Sequence, residues 1–252
     1  MKSLLSTVLF IFITTLTYAQ VDTVYHLDSK LIKKHLKAGP NQYLVFIQRR
    51  GDPRQTYTTV WSRDVKFVNR NGNELIEISQ KWYGSDTARV RTVYSLMNAS
   101  DFSPVYHRTR LNRTIEAFDF YQNKIKGADS VTNNSKKDFI IELKEPTLNW
   151  ELDLETFPLL DLKAGKSFAI SFYHPGGKTE PKVYLYKVIG EENLSVIDGG
   201  TVPCWKLRID YDSKSYAIFY ISKKGREVLR MDEDFGGGVR YKVKLSNSVA
   251  IK

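Results

Sequence analysis

The sequence predicts an all-β, mainly antiparallel protein: a curved sheet or half-open β-barrel with one or two short helices. Three observations carry this. Apolar and polar residues alternate with period two from about Tyr43 onward, and turn residues interrupt the alternation. The chain is 13% aromatic, with fifteen Tyr and thirteen Phe, side chains that fit a pleated, half-buried surface. Asn71-Gly72 stands between two long alternating runs, the strongest short-range signal for a tight hairpin.

The elements follow in order. Lys2 and the apolar run Leu4 to Leu16, closed by Thr17-Tyr18-Ala19, have the layout of a secretory signal peptide, residues 1–19. That run is about 13 residues, shorter than the roughly twenty a membrane-spanning helix needs, so no transmembrane span is expected in the mature chain. In the N-terminal segment 20–42, Asp28 or Ser29 can cap a helix over Leu31 to Leu36, which Gly39-Pro40 stops. Strands are expected at Tyr43 to Arg50, Thr56 to Asn69, Asn73 to Tyr83, Ala88 to Met97, Val105 to Leu111, Thr114 to Tyr121 and Asp138 to Leu143. Asn123 to Lys137, rich in Gly, Ser, Asn and Lys, is expected as a flexible loop.

Between Asn149 and Gly165 the apolar residues are too dense for alternation, and Pro158 limits a helix to its first part, so a short helix or turn plugging the β structure is expected. Strands resume at Ser167 to Tyr173, Val183 to Ile189, Val202 to Tyr211, Tyr216 to Ser222, Glu227 to Asp232 and Val239 to Leu245. In the last of these Val239, Tyr241, Val243 and Leu245 read as the packed face and Arg240, Lys242 and Lys244 as the wet one. Residues 43–252 thus form one antiparallel β domain. An echo between Arg91 to Arg108 and Tyr216 to Met231 is compatible with two similar halves, 43–145 and 146–252.

Composition narrows the function. The formal net charge of +10 favours anionic surfaces and ligands, but no nucleic-acid motif accompanies it, and nucleic acid is not an expected partner. The lone Cys204 excludes an intramolecular disulfide and reads as a buried apolar filler. His26, His35, His107 and His174 have no second ligand at metal-site spacing, so no metal and no cofactor is expected. No nucleophile elbow or phosphate loop is present, so no catalytic residue is assigned and a non-enzymatic role is expected. Glu151, Asp153, Glu155 and Asp161 beside Trp150 are the densest carboxylates; a glycan hydrolase needs two of them in one cleft, while an amphipathic segment would simply keep them wet.

Several phrases carry a resemblance. Phe157 to Phe168, Val183 to Glu191, Cys204-Trp205, Ile221 to Met231 and Tyr241 to Leu245 resemble an exported bacterial, Bacteroidetes-type family of uncharacterised function, similar to domain of unknown function 3108. The resemblance implies a curved antiparallel sheet like that of the periplasmic lipoprotein carriers, whose concave apolar face holds acyl chains. It brings no site residues with it.

Two patterns point to binding. Basic residues recur two apart at Arg89 and Arg91, Arg108 and Arg110, Lys206 and Arg208, and Arg240 to Lys244; on neighbouring strands they would form one cationic face able to hold phosphates or carboxylates. Trp205, Leu207, Ile209 and Tyr211 form an apolar stripe that either packs as core or lines a ligand cavity. The leading expectation is an exported, periplasmic or secreted protein that binds a lipid-like amphiphile along the Trp205 stripe, with Arg89, Arg91, Arg108 and Arg110 meeting its anionic head. The alternatives are an adaptor that contacts another envelope protein through a strand edge and a hydrolase of envelope glycans. Oligomeric state is not legible.

Overall fold

The computed structural model describes residues 21–246 apart from 53, 55, 85–89 and 178. The expected signal peptide and Arg89 lie outside the described residues. In chain order the elements are β1 (Val21–Val24), α1 (Ser29–His35), β2 (Gly39–Arg49), β3 (Thr56–Arg70), β4 (Asn73–Tyr83), β5 (Arg91–Asn98), β6 (Pro104–Leu111), β7 (Thr114–Phe120), β8 (Lys124–Gly127), β9 (Ile140–Glu142) and β10 (Leu148–Asn149). There follow α2 (Asp153–Thr156), flanked by 3-10 turns at Trp150–Leu152 and Phe157–Leu159, then β11 (Ser167–Tyr173), β12 (Lys182–Ser195), β13 (Thr201–Asp210), β14 (Ser215–Ser222), β15 (Val228–Phe235) and β16 (Gly238–Lys244).

These strands make one curved, unclosed 16-stranded sheet. Its order runs β1, β11 to β16, then β2 to β9, with β10 a second partner of β11. Among the described strands only β1 and β10 pair parallel, both to β11. The β16 to β2 pairing, Gly238↔Arg49 through Lys244↔Tyr43, joins the two runs into a continuous surface. Among the described residues no helix is long and apolar enough to cross a membrane.

Local chemistry explains the turns. Asn71 (φ 53°) and Gly72 (φ 83°) both take the left-handed conformation that a two-residue hairpin matched to sheet twist requires, and Asn69 Oδ1 accepts from Gly72 N at 3.1 Å. Asp28 caps α1, its carboxylate accepting from Lys30 N at 2.7 Å. Segment 123–137 is the loop its composition suggested only beyond Gly127. It holds β8, and buried Asn134 ties it to β7 by accepting from Ala117 N (3.0 Å) and donating to Ala117 O (2.8 Å) and Ala128 O (3.1 Å). A side-chain amide that replaces a strand's backbone partners leaves no apolar periodicity to read.

The 148–162 segment lies inside the curve of the sheet. Leu148, Leu152, Leu154, Phe157, Leu159, Leu160 and Leu162 belong to one buried cluster with Val45, Val65, Ile78, Phe172, Tyr186, Leu207, Phe219 and Met231 from strands across the sheet. Phe157 is its centre, with ring centroids 4.6 Å from Phe219, 4.9 Å from Tyr186 and 6.2 Å from Phe172. The plug therefore supplies the second layer against which a single large sheet buries its inner face.

Candidate functional site

The inner face carries charge as well as apolar surface, contrary to the sequence expectation. Arg63 on β3 is fully buried; its Nε donates to Glu155 Oε1 at 2.7 Å and its Nη2 to Glu155 Oε2, while Nη1 donates to Gln80 Oε1 (3.0 Å) and Nη2 also to the Glu151 carbonyl (3.0 Å). Burial alone would lower the guanidinium pKa, but Glu155 overrides it and the net shift is upward. Arg91 donates to Glu151 Oε1 at 2.6 Å and lies 4.6 Å from the Trp82 ring. Burial pushes the Glu151 carboxyl up, Arg91 pulls it down, and the net direction is down. Trp82 stacks on Trp61 at 4.9 Å, and Trp61 has Arg63 at 4.4 Å and Lys242 Nζ at 4.5 Å over its ring.

Two corrections follow. Asp153 and Glu155 are buried beneath the sheet and are not the wet side of the plug. In β16 it is Lys242 that is buried, on the inner face, where desolvation lowers its pKa; Tyr241 and Val243 take the outer face. Alternation told that two faces exist, and the identity of the inner one depended on Trp61 of β3 and Asp153 of α2, both remote in the chain. The four acids near Trp150 also do not share a cleft: Glu155 is held by Arg63, Glu151 by Arg91, Asp153 accepts from Leu154 N at 2.8 Å, and exposed Asp161 pairs with Lys163 and Lys166.

The expected single cationic face does not assemble either. Thr92 pairs with Arg110, and Arg91 with Leu111, so Arg91 lies on the inner face while Arg108 and Arg110 lie on the outer one. Arg108 packs 5.8 Å from the Tyr94 ring. Lys206 and Arg208 are also outward, ion-paired to Glu192 (2.9 Å) and Asp210 (2.6 Å). Along the apolar stripe Leu207 and Ile209 are fully packed in the plug cluster, and Trp205 and Tyr211 are half-buried against it, Tyr211 with its ring 6.2 Å from Trp150. Cys204 is buried on the outer side of β13, its Sγ donating to Val202 O at 3.3 Å, and burial pushes its thiol up to about 11, away from a reactive thiolate.

His107 gives the interior a pH signature. Asn149 Nδ2 donates to its Nδ1 at 3.1 Å, so Nδ1 is an acceptor and Nε2–H faces Thr109 Oγ1 at 3.1 Å, the arrangement of a neutral ring. Burial lowers its pKa to about 4. Because the folded pKa lies below the unfolded one, the unfolded chain binds the extra proton between about pH 6.5 and 4, and stability falls as pH falls through that window. The expected loss is about 3 kcal/mol from this one group. Denaturant titrations at pH 7 and 4.5 check it: the His107→Gln variant should show a shallower pH dependence than the wild type, and an unchanged slope would count against a neutral buried His107.

A concave surface lies on the outer side, at the end of the sheet formed by β12 to β16. It is a groove of about 660 Å³ whose apolar lining is Leu194, Val196, Ile197, Val202, Leu229, Val243 and Leu245. Leu194, Val202 and Leu229 continue into an outer apolar cluster with Cys204, Tyr220 and Ile218. The rim is basic, with Lys37, Lys224, Arg230 and Lys244 against Asp198 and Glu227. Arg230 is held by Asp232 (2.5 Å) and Lys244 by Glu227, whereas Lys37 and Lys224 have no acidic partner among the described residues.

Sequence reasoning missed this groove because it ended β12 at Ile189. Gly190 (φ 151°) sits at a register shift, a bulge across which pairing with β13 resumes and runs to Ser195↔Thr201. The hairpin is thereby long enough to carry Leu194 to Ile197 beside β15 and β16. The signal available was Val196-Ile197 directly before the Asp198-Gly199-Gly200 turn, an apolar pair with no place in the core.

A family model described as protein of unknown function (DUF3108) matches residues 42–244. No curated protein matches. Two solved structures are similar at low identity. The crystal structure of a beta-barrel-like protein of domain of unknown function DUF1849 from Brucella abortus aligns with 83% of this chain and 96% of its own at 11% identity and a TM-score of 0.42. A DUF1329 family protein from Desulfovibrio piger aligns with 89% of this chain and 92% of its own at 13% identity and a TM-score of 0.29.

Proposed function

The chain belongs to the family of proteins of unknown function DUF3108, and we propose that it is an exported, non-enzymatic envelope protein that binds an anionic amphiphile in the outer groove. The observation that supports this reading is the combination of an apolar floor with a basic rim in one groove of about 660 Å³, within the size range of small-molecule sites. The floor offers burial to an acyl or similar chain at about 25 cal/mol per Å² of apolar surface removed from water. The rim offers Lys37 and Lys224 to a phosphate or carboxylate. The reading keeps the ligand class expected from the sequence and moves its seat, since the inner face is occupied by the plug and Leu207 and Ile209 are spent on packing it.

Ile197 gives a clean test because it lines the groove yet is 60% exposed, so its replacement should leave folding within about 0.5 kcal/mol of the wild type. In calorimetric titration with palmitate, Ile197→Asp is expected to bind at least about tenfold more weakly, since it places a carboxylate beside the chain and near the anionic head, a penalty of at least about 1.4 kcal/mol. Trp205→Ala, on the inner face, is expected to leave affinity unchanged. Equal palmitate affinity for wild type and Ile197→Asp would reject the groove.

A further inference from the structure

Away from the groove, β3 to β6 form another depression on the outer face, about 310 Å³ in volume. Two rows of paired residues cross it. Asp64, Ser79, Tyr94 and Arg108 lie side by side in one, and Ser62, Lys81, Thr92 and Arg110 in the next. The hollow exists because Ser62, Ser79 and Thr92 are small while Lys81, Tyr94 and Arg108 beside them are large. Its floor therefore presents three hydroxyl groups, each able to donate and to accept.

The two ends of the hollow differ in charge. At the β3 end Asp64 is paired with Lys66 at 3.2 Å. At the β6 end Arg108 is exposed, 5.8 Å from the Tyr94 ring, and makes no ion pair or hydrogen bond with the described residues. Arg110 donates through Nε to Asn112 O at 3.1 Å and likewise has no acidic partner among them. Residues two apart on a strand face the same way, about 7 Å from each other, so both guanidinium groups reach over the same edge of the hollow.

Between the ends Tyr94 is fixed. Its hydroxyl donates to Glu77 Oε2 at 2.8 Å and accepts from Arg70 Nη2 at 2.7 Å, and its ring meets Tyr106 edge-on with centroids 6.1 Å apart. Glu77 and Arg70 are thus occupied by Tyr94 and by each other. An aromatic ring held in this way loses little freedom when it meets the apolar face of a ligand.

We propose that this hollow binds a sugar carrying an oxyanion, a phosphate or sulfate ester: the ester accepts from Arg108 and Arg110, the sugar ring lies against Tyr94, and its hydroxyl groups bond to Ser79, Thr92 and Asp64. A guanidinium fork suits a tetrahedral oxyanion. Asp64 stands three strand spacings, about 14 Å, from Arg108, which sets the direction in which the ligand lies. A bare anion would leave the hydroxyl floor and Asp64 unused, and a neutral sugar would leave both guanidinium groups unused. The site shares no lining residue with the outer groove and stands independently of it.

Titrations with glucose 6-phosphate, glucose 6-sulfate, glucose and inorganic phosphate, followed by amide NMR, separate these parts. The wild type is expected to bind at least one ester at least about tenfold more tightly than glucose or phosphate, with shifts at Ser79, Thr92 and Arg108. A preference between the esters identifies the source of the oxyanion and supports the site. Arg108→Gln alters an exposed side chain and should keep the fold while bringing the esters down to the affinity of glucose. Ile197→Asp is expected to bind the esters as the wild type does, so a failure here leaves the groove standing. Glucose or phosphate bound as tightly as the esters would overturn the proposal. So would ester affinity unchanged in Arg108→Gln, or the absence of ester-induced shifts at Ser79 and Thr92.

Discussion

Arg63→Met is expected to destabilise the fold by about 3–5 kcal/mol, and the double variant Arg63→Met, Glu155→Met by clearly less. The asymmetry comes from what each change leaves behind. Arg63 is fully buried and donates along both edges of its guanidinium, to Glu155, to Gln80 and to the Glu151 carbonyl. Removing it alone strands the Glu155 carboxylate away from water, whereas the Gln80 amide oxygen still accepts from Trp61 Nε1 and the Glu151 carbonyl from Gln80 Nε2. Removing both members of the ion pair deletes the charge that must be solvated and leaves apolar volume in a predominantly apolar setting. Urea titrations of wild type, single and double variants at pH 7 give the comparison. A single variant as stable as the wild type would mean that the plug does not depend on this pair for its seat.

Phe157→Ala should cost about 3–5 kcal/mol, the range for emptying a large aromatic from a packed core. Phe157 is fully buried and meets three other aromatic rings from β11, β12 and β14. Those strands belong to one open sheet and have no opposing sheet to pack against, so the plug residue is the shared contact that closes their inner face. Thermal unfolding followed by near-ultraviolet circular dichroism should show the lowered midpoint with loss of aromatic signal. An effect under about 1 kcal/mol would place the stability of the curve in the strand pairing itself, because a change that small is typical of a surface site.

The strands were legible because each carries its own period. β4 and β11 begin and end where the alternation does, at Asn73–Tyr83 and Ser167–Tyr173, and the Asn71-Gly72 hairpin follows from the conformations those two residues accept. The plug was legible as a break in that period. What the sequence did not disclose depended on partners remote in the chain. Lys242 has the pattern of a solvated lysine, and only the arrival of Trp61 and Asp153 makes an inner position tolerable for it. Glu155 has the pattern of a wet acid until Arg63, 92 residues away, is brought to it. Arg91 and Arg108 share a spacing class, yet their faces are fixed by the register of β5 against β6, a property of two strands and not of either alone. The groove was hidden for a related reason: the bulge at Gly190 ends the visible alternation while the ladder continues, and the basic rim is assembled from the segment after α1, the β14–β15 turn, β15 and β16.

The central claim is that a chain-bearing anion seats in the outer groove and not against the plugged inner face. Photo-crosslinking with a diazirine-labelled palmitate, followed by mass-spectrometric mapping of the labelled peptides, tests it most directly. The expected result is labelling at Leu194 to Ile197, Leu229 and Val243, lost on addition of excess unlabelled palmitate. Competable labelling of the Trp205 to Tyr211 stripe, or labelling that excess palmitate does not displace, would contradict it.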